Sequence, residues 1–103
     1  MNRFEEAKAL LRKTLPVARR VLGENKEVTL GMRRNYAEAL YDDPSATLDD
    51  LREAVTMLED TARTARRVLG GSHPLTEGVE YEVPDARAAL AAREGTPPGN
   101  ARP

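Results

Sequence analysis

With 103 residues and a net charge of −1, the chain is sized for one small domain or a few repeat units, and its balanced charge gives no general attraction to nucleic acid or to an anionic membrane. It has no cysteine, which excludes disulfides and thiolate metal sites. Aromatic residues make up only 4% of it, so Ala, Leu and Val must build the core, a composition that suits closely packed helices and argues against a β-sandwich.

The spacing predicts a first helix over residues 3–22. Phe4, Ala7, Leu11, Leu15, Ala18 and Leu22 recur every three or four residues and draw one apolar stripe along one face. Arg19 and Arg20 complement the helix dipole in the last turn, and Gly23 supplies a stop. Pro16 works against this helix. A mid-helix proline removes a hydrogen bond and crowds the preceding turn, at about 3 kcal/mol, so a kink is expected there or a helix that starts only after it.

A second helix is expected over residues 27–42, with Met32, Tyr36, Ala39 and Leu40 on its apolar side. Asp42-Asp43-Pro44-Ser45 reads as a turn, because Pro44 disfavours helix at Asp43. Thr47 is then a good N-cap, with Asp50 placed for a capping box. The third helix, residues 48–69, carries the stripe Leu51, Ala54, Leu58, Ala62, Ala65 and Leu69 and ends at Gly70. Ser72-His73-Pro74 then opens a fourth helix over residues 74–93, which Pro84 is expected to bend or split. Residues 95–103 contain three prolines and two glycines and are expected to form a disordered tail. The fold class is therefore all-α: about four helices in antiparallel helix-turn-helix order, in one segment over residues 1–94.

The chain repeats itself. Residues 4–23 and 51–70, aligned without gaps at an offset of 47, share 10 of 20 residues: Glu6/Glu53, Ala7/Ala54, Leu11/Leu58, Thr14/Thr61 and the whole of Ala18–Gly23 against Ala65–Gly70. Thr29/Thr76, Gly31/Gly78 and Ala39/Ala86 continue the match.

No constellation for catalysis stands out. His73 is the sole histidine and sits at a helix start, so a structural role outweighs metal binding, and no cofactor is expected. Gly70-Gly71-Ser72 lacks the preceding strand and the Gly-Lys-Ser/Thr ending of a phosphate loop and reads as a helix stop. The pairs Arg19-Arg20 and Arg66-Arg67 read as solvated helix ends, and Glu77, Glu80, Glu82 and Asp85 as a solvated acidic face. The serines and threonines have no His/Asp partners to activate them, so an enzyme is not expected. No run approaches the roughly 18 apolar residues that span a bilayer. Residues 1–6 carry acid beside Arg3 instead of the layout of a secretory signal, so no membrane association and a cytoplasmic location are expected.

Val68-Leu69-Gly70, two residues and then His73-Pro74 resemble the junction between repeats in tetratricopeptide proteins of the kinesin-light-chain type. There a long second helix ends in Leu-Gly and His-Pro opens the next first helix. Phe4-Glu5-Glu6-Ala7 is similar to the family's aromatic-Glu-Glu-Ala opening of a second helix, and Asn35 with Ala37 resembles its Asn-Asn-Leu-Ala stretch. Lys26-Glu27 replaces His-Pro at the first junction, Arg34 and Tyr36 replace the usual Asn and Leu, and Pro84 stands where a small packing residue is usual. In this frame the chain reads as an α-solenoid fragment or the end of a longer array: a second helix, one complete pair and a first helix. Such units bury their faces only by stacking, so marginal stability is expected.

The resemblance implies a protein-interaction scaffold in which first helices line a groove that receives a peptide. By position that groove comprises Arg34, Asn35, Glu38 and Tyr41 of the complete pair and Tyr81, Glu82 and Asp85 of the last helix. Asn35 could donate to and accept from a peptide backbone, Arg34 could pair an acidic side chain, and Tyr41 could give an aromatic contact. The implied partner is a protein or peptide, not a small-molecule substrate. Two rivals remain: a small helical nucleic-acid binder using its arginines, which the near-zero charge disfavours, and a degenerate repeat that only self-associates through exposed end helices.

Overall fold

The computed structural model describes residues 3–95. Helices α1 (Arg3–Leu22), α2 (Glu27–Tyr41), α3 (Leu48–Leu69) and α4 (Pro74–Glu94) follow one another, and the described residues hold no strand. Each helix packs on the next in the chain, and α2 also meets α4. The result is a slab 47 × 36 × 18 Å across, whose thickness is that of two stacked helices. An all-α stack of antiparallel helix-turn-helix units is thus what these residues form.

The local chemistry of the helix ends explains the boundaries. Thr47 Oγ1 accepts from the Asp50 amide at 3.0 Å, and Asp50 Oδ2 accepts from the Thr47 amide at 3.1 Å, completing the capping box of α3. Thr47→Ala should cost about 1 kcal/mol, read as a lowered urea midpoint with an unchanged slope. At α4, His73 Nδ1 accepts from the Leu75 amide at 3.0 Å, with Pro74 in the first turn. The lone histidine is therefore a cap. Gly23 and Gly70 end α1 and α3 with φ of 96° and 92°, a backbone region that residues with a Cβ rarely adopt.

Packing concentrates on α3, whose stripe lies between α2 and α4. Ala54, Leu58 and Ala65 are fully buried, and Leu58 joins Leu15, Tyr36, Ala37, Leu40, Val79, Val83 and Ala86 in one core. The Tyr36 hydroxyl ties three helices together: Arg12 Nε donates to it at 3.0 Å and it donates to Glu53 Oε2 at 3.0 Å. Lys8 of α1 and Asp43 of the α2–α3 loop form a buried ion pair at 3.2 Å. Burial opposes the Lys8 charge, but bonds to Glu5 and Asp43 outweigh it and raise its pKa. Asp43 also accepts from the Ser45 amide, which, with Lys8, lowers its pKa despite burial.

One expectation needs correction, that of a break at the prolines. Neither proline divides its helix: α1 runs unbroken through Pro16 and α4 through Pro84. Both prolines are exposed, so each ring sits toward solvent, and the helix around it is held by tertiary packing that exceeds the loss of one backbone bond. Helix α2 ends at Tyr41, one residue short of the expected 42, and α4 extends one residue past 93 to Glu94. Gly95 caps α4 with φ 83°. The rest of the tail expected over residues 95–103 lies outside the described residues.

Candidate functional site

Helices α2 and α4 share a face, and between them opens a groove of about 600 Å³ lined by Arg34, Tyr41, Pro74, Glu77, Gly78, Tyr81, Glu82 and Asp85. Five of the seven residues expected at a groove line it: Arg34, Tyr41, Tyr81, Glu82 and Asp85. Glu38 sits one turn beyond Arg34, within 3.4 Å of its guanidinium. Asn35 is exposed on α2 and outside the lining.

The electrostatics differ from the expectation for Arg34. Arg34 Nε donates to Glu82 Oε1 at 2.9 Å and lies 3.4 Å from Glu38 Oε2. Burial disfavours its charge, but the bond to Glu82 and the charges of Glu82 and Glu38 more than reverse this and raise its pKa. Its charge is therefore committed within the chain, and capture of an acidic peptide side chain by Arg34 has no free cation behind it.

The groove lining holds three carboxylates, Glu77, Glu82 and Asp85, against that one guanidinium. Glu38 responds to this crowding: burial first, then a hydrogen bond and like charge from Glu82, push it up to about 7, with Arg34 opposing. Burial, Glu82 and Asp85 raise Asp42. Burial and the surrounding carboxylates also raise Tyr41, which stays a neutral phenol. Tyr81 is 79% exposed and offers an open aromatic face at the rim.

Gly78 was not read from the sequence as part of the site. A Cβ there would lie 2.7 Å from Arg34 Nη1, so the missing side chain is what lets the guanidinium lie across α4 to reach Glu82. A glycine inside a helix costs up to about 1 kcal/mol against alanine, and that penalty is the signal that could have flagged it.

The expected solvated charges divide. Glu77 and Asp85 are exposed, whereas Glu82 is bonded to Arg34 and Glu80 is bonded to Arg66 at 2.7 and 3.0 Å. Arg66 is thus a clamp between α3 and α4, as is Arg87 with Glu59 at 2.6 Å. Arg19 lies 3.2 Å from Glu24, and Arg33 is buried, its pKa lowered by burial and by Arg19. These arginines form no open basic stripe of the kind phosphate binding needs. Among the described residues no group of three His, Cys, Asp or Glu could hold a metal ion, and no helix is long and apolar enough to cross a membrane.

Comparison with known proteins gives one result. A family model described as tetratricopeptide repeat matches residues 1–25 and 45–75, together more than half of the chain. Those stretches contain the two near-copies, α1 and α3. Neither the curated proteins nor the solved structures searched give a match.

Proposed function

The chain belongs to the tetratricopeptide repeat family, and from that premise we propose that it is a non-catalytic interaction module whose α2–α4 groove takes a peptide segment of a partner protein. Such repeats generally serve protein–protein interaction. The observation that carries the groove reading is the open cleft between the two first helices, with Tyr81 exposed at its rim and Arg34 already neutralised inside it.

The charge balance selects the ligand. A peptide carrying Lys or Arg meets Glu77, Glu82 and Asp85, while an acidic one meets only repulsion. A cation brought beside Glu38 would favour its ionised form, so binding near pH 7 releases a proton. Tyr81 supplies a face for an apolar or cationic side chain, and Asn35, on the exposed side of α2, reaches backbone groups of a longer segment. The kinesin-light-chain-like junction at Leu69-Gly70 and His73-Pro74 supports the closer kinship within the family.

The test uses exposed residues, so folding is spared. The triple variant Asn35→Ala, Tyr81→Ala, Asp85→Ala should weaken binding of a Lys-containing peptide about tenfold or more in fluorescence anisotropy, and binding should fall as salt rises. A matched Glu-containing peptide should not bind. Equal binding by wild type and triple variant would remove the groove from the proposal.

A further inference from the structure

Helix α1 carries a second organised surface, away from the groove. It buries Lys8, Leu15 and Ala18 against its neighbours, with Leu11 partly covered. One residue earlier at each step, about 100° around the helix, stand Ala7, Leu10, Thr14, Val17 and Val21. Their alternating steps of three and four residues are the spacing of a two-helix seam. Leu10, Val17 and Val21 are 61, 45 and 69% exposed.

The internal repeat shows that this face is of a kind that becomes covered. In α3 the matching positions are Ala54, Met57, Thr61, Thr64 and Val68. Ala54 and Thr61 are fully buried, Met57 and Thr64 are half-buried, and only Val68 is exposed. Thr14 is prepared for the same surroundings, since its hydroxyl donates to Leu10 O at 3.0 Å and needs no partner across a seam.

The charges beside the seam indicate what covers it. Glu6 and Arg20 flank Ala7 and Val21, both are exposed, and neither has an ion-pair partner among the described residues. Two copies of α1 laid antiparallel, with the twofold axis between Lys13 and Thr14, place Leu10 against Val17 and Ala7 within one residue of Val21. The same register brings Glu6 of each copy within one residue of Arg20 of the other, in reach of an ion pair, twice by symmetry. A parallel pairing would put the two copies of Glu6, and of Arg20, on opposite flanks of the seam and leave these charges unpaired. Lys13 approaches its own copy near the axis, where its long stem lets the ammonium reach water. We propose that the chain forms a twofold dimer through this α1 seam, with the second copy antiparallel.

Light scattering of the full chain over a dilution series tests this. Wild type should reach twice the monomer mass, and Val17→Asp should stay monomeric with an unchanged helical circular dichroism spectrum, because Val17 is exposed. Glu6→Arg and Arg20→Glu should each raise the dimer dissociation constant about tenfold, and the double variant should return it to within about threefold of wild type. A monomer at every concentration, a larger open-ended assembly, a dimer indifferent to Val17→Asp or a double variant that fails to restore pairing would each overturn the proposal. Peptide binding in the groove is untouched by these changes, so the two proposals stand or fall separately.

Discussion

Leu58→Asp leaves the chain unfolded at neutral pH. Leu58 is fully buried at the centre of α3, in contact with core residues from α2 and α4. A carboxylate there has neither water nor a cation, and the lost packing adds a cavity term. The combined penalty, upward of about 5 kcal/mol, is at the scale of the whole stability of a small domain. The helical circular dichroism signal should collapse to that of a coil. Leu58→Ala should cost about 2–5 kcal/mol and keep a cooperative transition. Leu11, the counterpart of Leu58 in α1, is only partly buried, so Leu11→Asp should cost less than its twin. A native spectrum for Leu58→Asp would refute the packing account of α3.

The second large effect is a pH dependence. Glu38 is held at about 7 in the folded chain, against an ordinary 4.5. Its folded form therefore binds a proton more tightly than its unfolded form. Between those values the native state holds more protons, so stability is highest below the unfolded pKa and falls as pH rises through 7. For a side chain about a third exposed and coupled to Glu82, the loss is of order 2 kcal/mol between pH 5 and 8. Glu38→Gln cannot ionise and should reduce the fall in urea titrations at the two pH values, leaving the smaller part that Asp42, also raised, contributes. Asp43 does not confuse the reading: its pKa is lowered, so its contribution is lost only as pH falls below the ordinary carboxylate range. Parallel slopes for wild type and Glu38→Gln would place the proton elsewhere.

How much of this was legible in the sequence follows from the range of the interactions involved. Helix ends are decided within a few residues, as by Thr47 with Asp50 or by the positive φ at Gly23 and Gly70, and such signals survive in a single sequence. The stripe on α3 was equally readable, because burial on a helix recurs with its own period. A break at the prolines was one expected outcome because local propensity does not contain the packing against other helices that carries α1 and α4 past them. The charge pattern of the groove was the least legible. Arg34 and Glu82 are 48 residues apart, and their 2.9 Å bond depends on the register of two helices and on the space left by Gly78. Position alone marked Arg34 as a cation on offer, and only its neighbours reveal that it is taken. Glu80 changed meaning in the same way once Arg66 stood opposite.

The tyrosines give the molecule an optical property. With no tryptophan and three tyrosines, its near-ultraviolet emission comes from the phenols alone. Tyr36 is buried under α1 and Tyr41 is half-covered, while Tyr81 stands in solvent at the mouth of the cleft. A dissolved quencher therefore collides chiefly with Tyr81, and any molecule lodged beside that ring would shield it. The protein carries its own unlabelled gauge of whether the cleft is filled.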